Sequence, residues 1–199
     1  MKPRRFAALY HYCTITLILM SGYMGRALAQ EAGSQSTMNH QHATPDRDKA
    51  SALISIVRNA TERFKDVKRA ESEGYALQFG CVSGPDSGAM GLHFINGEIL
   101  SNSIIDPTRP TIVIYEPVPG GGLRLIGADF LVFADAWNAT HSSPPELMGQ
   151  LFHYFETPNR FELPAFYTLH VWAWKDNPNG AFVNWHPDVN CQSFSGQSF

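Results

Sequence analysis

Gly74 separates two periodicities in this chain. Before it, small or apolar side chains recur at Ala50, Leu53, Ile54, Val57, Ala60, Thr61, Phe64 and Val67, the 3.6-residue repeat of an amphipathic helix. Thr44 suits an N-cap and Pro45 the first helical position. The spacing predicts a helix over 45–73, about 43 Å long if straight, a length at which a break is expected. After Gly74 the pattern turns to short apolar or alternating runs at 75–82, 89–95, 111–116, 123–133 and 166–174, which read as strands. Turn chemistry separates them: Ser83-Gly84-Pro85-Asp86-Ser87-Gly88, Pro117 to Gly122, and Asn177-Pro178-Asn179-Gly180. The stretch 144–155, after Ser142-Ser143, reads as a second helix. Together these imply an α+β domain over 45–199. A long N-terminal helix packs on a mainly antiparallel sheet of four or five strands, with the second helix before the last strand.

The first 29 residues read as a cleaved signal peptide. Lys2, Arg4 and Arg5 precede a mostly apolar stretch from Phe6 to Gly25, and Ala27-Leu28-Ala29 supplies a small-x-small cleavage site after Ala29. An uncleaved anchor is the alternative, since the stretch is long enough to span a bilayer. Cleavage implies a periplasmic or secreted protein without a stable membrane anchor. Residues 30–44 are polar and aperiodic, as in a flexible leader; they hold His40 and His42 beside Met38, either a loose copper ligand pair or a solvated linker. Four of the 15 basic residues and none of the 18 acidic ones lie before residue 30. The remaining eleven bases against eighteen acids give a net charge of −7, which argues against a nucleic-acid partner.

Removing Cys13 with the signal peptide leaves Cys81 and Cys191. An even pair in an oxidising compartment reads as one disulfide, with two free thiols as the alternative.

Five residues are placed where ligand chemistry is expected. Glu116 alternates with Ile112 and Ile114, and Asp129 with Leu125 and Leu131. Acids on apolar strand faces are costly unless paired, hydrogen-bonded or metal-bound. An even register offset across the 111–133 hairpin would put both on one face. His170 alternates with Trp172 and Trp174, and His93 with Gly91 and Ile95. In the expected second helix, Glu146, Gln150 and His153 form one polar stripe, which equally reads as a solvated face. Imidazoles with a carboxylate suit zinc, copper or iron. None of these histidines has the close spacing of a specific motif, so their convergence depends on the fold. The alternatives are a strand-end Glu116, an Asp129 bonded to backbone, and a core His170 bonded to a carbonyl. Trp137, Trp172, Trp174 and Trp185 suit core packing or the wall of an apolar pocket. Gly120-Gly121-Gly122 lacks the Lys and Ser/Thr of a phosphate-binding loop.

Four blocks resemble an uncharacterised family of exported bacterial proteins: Gly80-Cys81-Val82; Gly88 to Phe94; Asp106 to Pro110 with Tyr115-Glu116-Pro117; and Leu169 to Trp174 with Asn177-Pro178. The resemblance spans roughly 47–191. It implies a signal peptide and one small domain, and assigns no catalytic residues. The chain departs from that family's pattern at Asp129 and His186, where Glu and Asn are usual.

The expectation is thus an exported binding protein for one divalent transition metal (zinc, copper or iron) or a small apolar ligand. His93, Glu116 and His170 are the inner ligands, with His153 and Asp129 as further candidates. A metal-dependent hydrolase or oxygenase using the same cluster is the second reading. A structural or interaction domain without a small-molecule site is the third.

Overall fold

The computed structural model describes residues 45–199. The expected signal peptide (1–29), the leader (30–44) and its His40/His42 pair lie outside the described residues.

The segment before Gly74 is not one long helix. It forms α1 (Pro45–Thr61), a 3-10 turn (Glu62–Lys65) and α2 (Val67–Ser72). Asp66 sets the break: its backbone is extended, and its carboxylate accepts the Lys68 amide at the start of α2, the usual work of an N-cap. The break turns Phe64 into the core, edge-on to Tyr75 at 5.1 Å. The Tyr115 hydroxyl donates to the Phe64 carbonyl at 2.7 Å, satisfying a carbonyl that the interrupted helix leaves open.

Beyond Gly74 run β1 (Tyr75–Gly84), β2 (Gly88–Asn96), α3 (Gly97–Asn102), β3 (Ile112–Val118), β4 (Gly122–Phe133) and α4 (Ala134–Asn138). They are followed by β5 (Glu146–Leu147), β6 (Gln150–Leu151), β7 (His153–Phe155) and β8 (Phe166–Val171). The main sheet is antiparallel throughout, six strands in the order β1-β2-β3-β4-β8-β7, so the architecture is α+β with more strands than the four or five expected. The sixth comes from 144–155, where the second helix was expected. Pro144-Pro145 withholds two amide donors there. Met148 and Gly149 both adopt positive φ (50° and 84°), the two-residue turn that matches hairpin twist. The polar stripe built on a helical repeat, Glu146, Gln150 and His153, therefore does not exist: its members fall on three separate strands.

α1, the 3-10 turn and α2 cover one face of the sheet. Leu53 and Val57 pack on Ala128, Phe130, Leu169 and Val171, and Phe64 and Ala70 on Leu92, Phe94 and Val113. The other face carries Ile112, Ile114, Ile126, Leu131, Phe166 and Trp172, and is covered by Phe161 and Leu163 of the β7–β8 connection and by Val189 of the tail. Expected alternation fails at Trp174. The last strand ends at Val171, three residues short of its expected end, and Trp174 turns to the helix side, where its indole N–H donates to Thr61 Oγ1 at 2.9 Å.

The tail closes along β1. The Cys81 amide donates to the Gln197 carbonyl, and the Phe199 amide to the Cys81 carbonyl. Gly80 makes this close approach feasible, because a Cβ there would collide with the Gln197 carbonyl. Cys81 and Cys191 are joined as a disulfide, with S–S 2.10 Å and Cα–Cα 5.8 Å. Among the described residues, no helix is long and apolar enough to cross a membrane.

Candidate metal centre

Register decides which polar residues meet. Asp129 lies opposite His170 in the β4–β8 ladder and opposite Ile112 in the β3–β4 ladder. His93 lies opposite Ile114 on β2. Opposed residues share a face, so all three side chains enter the face opposite α1 and α2. In a flat sheet, β2 and β8 would stand about 14 Å apart at the usual strand spacing. The sheet curls enough that His93 Nε2 and His170 Nε2 lie 3.3 Å apart. His170 Nδ1 is 3.6 Å from Asp129 Oδ2. One donor atom from each of His93, Asp129 and His170 lies within 4.8 Å of the others. All three residues are buried.

Three of the five expected residues therefore come together, and two do not. Glu116 faces Arg124, four residues along β3 from Ile112, the rung that holds Asp129, which places it about 13 Å along the strand at ordinary rise. Its carboxylate is held by Arg124 (Nε at 2.6 Å) and Lys175 (Nζ at 2.8 Å), so Glu116 is a buried, paired acid, neither a member of the cluster nor a strand-end acid in water. His153 lies on the exposed edge strand opposite Thr168, and its Nδ1 approaches Asn184 Nδ2 at 3.5 Å. Glu116→Ala is expected to lower stability by about 2 kcal/mol, since two charge-assisted hydrogen bonds go and the exposed Arg124 re-hydrates. Metal uptake should change by less than two-fold; a chemical denaturation series with parallel metal titration checks both.

The sequence reading missed Thr168. Its hydroxyl lies 2.6 and 2.7 Å from the two Asp129 oxygens and donates its single proton to the carboxylate. The signal was present: in β8, Thr168 and His170 are two apart, hence on one face.

Comparison with His186 shows what a structural histidine looks like in this fold. It is fully buried, its Nε2 pairs with the Asp176 carbonyl at 3.1 Å, and its Nδ1 accepts the Asp188 amide at 3.1 Å. Both ring nitrogens are used. His93 Nδ1 and His170 Nδ1 are buried without a hydrogen-bond partner of ordinary geometry. Between the two rings the contact is the Nε2–Nε2 approach, where at most one nitrogen can donate if both rings are neutral. Buried polar atoms left unpaired cost about 1–3 kcal/mol each. A pair of them beside a buried carboxylate marks a site that is not optimised for stability.

Comparison with known protein families, curated proteins and solved structures finds no match for this chain.

The charge states follow from burial. Desolvation, and then the neighbouring His170, hold His93 down to about 4; the Asp129 carboxylate and the Gly91 carbonyl offset this in part. Desolvation, then His153, hold His170 down to about 3, against the Asn184 amide. Both imidazoles are neutral at pH 7 and offer a lone pair. Burial raises Asp129 to about 6, against the Thr168 hydroxyl. Two neutral imidazoles and a carboxylate are borderline donors suited to zinc, iron or copper. Two nitrogens bound to a tetrahedral zinc at ~2.0–2.1 Å lie about 3.3–3.4 Å apart, which is the observed separation. Beside the donors is a cavity of about 30 Å³, walled otherwise by Met90, Ile112, Phe155, Phe161, Leu163 and Phe166 among others. That is room for two or three waters, which need roughly 10–15 Å³ each.

Proposed function

We propose that this protein binds one divalent transition metal through His93 Nε2 and His170 Nε2, with the Asp129 carboxylate in the same site. The observation that carries this reading is the 3.3 Å approach of two buried, neutral imidazoles whose remaining nitrogens are unpaired. Asp129 acts either as a ligand or as acceptor of the His170 Nδ1 proton, the carboxylate–imidazole–metal arrangement. In both places it has to be ionised. We also propose that the protein is exported and works after removal of residues 1–29. The basic start and apolar stretch of residues 1–29 support this, as does the Cys81–Cys191 disulfide, which suits an oxidising compartment.

A second reading, that the metal activates a bound water for hydrolysis or binds oxygen, is favoured by the small cavity against the donors. It needs the same metal, so one measurement serves both. Protein purified without chelator is expected to carry about one equivalent of one metal by mass spectrometry, or to take up one equivalent of zinc, copper or iron. No uptake of any of the three overturns the proposal and leaves a structural domain. The pH dependence follows from the acid groups. Metal binding displaces protons only where the donors hold them. Affinity should be flat from pH 8 to about 6, then fall about ten-fold per pH unit as Asp129 takes up its proton. The imidazoles add to the slope only as pH nears 4. Solvated histidines would begin to lose metal near pH 6.5, with two protons competing. A chelator competition series over pH 4.5–8 separates the two profiles.

A further inference from the structure

A second space adjoins the metal cavity. It is a groove of about 330 Å³ between the start of β1 and α3, within the size range of small-molecule sites. Phe79, Ile95, Leu131 and Leu163 line both the groove and the cavity. These four side chains are therefore the wall between outer groove and donor cluster. No charged side chain lines the groove; Gln78 is its one polar side chain, and Leu100 stands on its α3 side. Phe79 holds its place at a cost. Its φ is +64°, a left-handed conformation that disfavours any residue with a Cβ. It sits in the bulge between Gln78 and Cys81, and its ring packs on Phe161 at 5.5 Å and on Phe199 at 5.9 Å. The bulge re-aims this ring towards the site, as bulges beside functional sites do.

Resting on the metal reading above, we infer that the protein binds a small apolar molecule bearing a single carboxylate, its chain in the β1–α3 groove and its carboxylate reaching the metal past Phe79. Charge selects the head group. A divalent ion with two neutral imidazoles and one carboxylate keeps one positive charge inside an apolar enclosure. An isolated buried charge is costly, and a monoanion cancels it. The groove selects the remainder: an apolar wall without a cation or anion rewards alkyl or aromatic surface and rejects a second charge.

Octanoate, decanoate, acetate and octanol are the probes, titrated into the cobalt-loaded full chain with the visible spectrum of cobalt as readout. Octanoate should perturb the spectrum and bind at least ten-fold more tightly than acetate, a ratio that burial of two methylenes already supplies. Octanol, which lacks the anion, should bind at least ten-fold more weakly than octanoate. Leu100→Trp fills the outer groove and should weaken octanoate at least ten-fold, with acetate and cobalt affinity unchanged. Phe79→Gly removes the partition and the backbone strain; it should accept decanoate more tightly than the parent does and provides a second variant if the tryptophan disturbs α3. Cobalt uptake with equal affinity for acetate and octanoate overturns this inference and leaves the metal reading standing. Failure to take up cobalt, zinc, copper or iron overturns both.

Discussion

His170→Leu is expected to abolish metal binding and, in the metal-free protein, to raise the melting temperature. The two effects have one cause. In the parent, His170 Nδ1 is buried with no hydrogen-bond partner of ordinary geometry, and Nε2 faces the equally neutral His93. Holding that Nδ1 in the core without a partner of ordinary geometry costs about 1–3 kcal/mol. Leucine is of similar bulk, carries no polar atom, and faces Ile112, Leu131 and Phe166, which line the same cavity. The metal-free variant should therefore melt several degrees higher, at ~2–4 °C per kcal/mol for a domain of this size. Metal content should fall from about one equivalent to less than a tenth. Affinity should fall by at least ~100-fold, because loss of an orienting neighbour alone costs 10–100-fold. The control is His186→Leu. That ring uses both nitrogens, on the Asp176 carbonyl and the Asp188 amide, so the same substitution should destabilise by about 2 kcal/mol or more and leave metal content unchanged. Calorimetry and metal analysis on the two variants decide the matter. If His170→Leu destabilises as His186→Leu does, His170 is a structural residue and the metal reading loses its main support.

That contrast also explains what could be read from the sequence. Alternation alone put His170 on an interior face and marked Glu116 and Asp129 as costly acids, because period 2 is a local property of a strand. Whether two such residues meet is not local. Glu116 and Asp129 both point away from α1 and α2 in the same hairpin, yet one is held by Arg124 and Lys175 and the other reaches His170. The difference lies in the register and in the shift at Ile114/Tyr115, neither of which periodicity encodes. The approach of His93 to His170 depends on curl accumulated over β2, β3, β4 and β8, which no window of sequence contains. The misread helix at 144–155 has a different origin. Leu147, Leu151, Tyr154 and Phe155 mimic a helical stripe, but Met148-Gly149 at positive φ and the two prolines specify a hairpin turn and a non-helical start. Turn chemistry outweighed spacing there. The same holds at Asp66, where one capping side chain divides a segment whose apolar repeat runs on without interruption.

Removing the disulfide is the second large effect. Cys81 lies in β1 and Cys191 in the tail, 110 residues apart, so the bond closes nearly all of the sheet into one loop. The entropy withheld from the unfolded chain by a loop of that length is worth about 4–5 kcal/mol, a large share of the ~5–15 kcal/mol that holds a typical domain. The double variant Cys81→Ser, Cys191→Ser should melt ~10–20 °C lower than the parent. The loss should not be spread evenly. The tail reaches β1 through the Cys81, Ser83 and Phe199 backbone bonds, and Phe199 and Phe161 form part of the packing around Phe79. Once the bond is cut, amide exchange should rise first at Cys81, Ser83 and Phe199, before the β3–β4 ladder opens. Metal affinity measured well below the new melting temperature should change by less than about three-fold, because His93, Asp129 and His170 stand on β2, β4 and β8 and none belongs to the tail. A loss of metal together with tail exchange, at a temperature where the sheet remains protected, would show instead that the tail holds the donors in register.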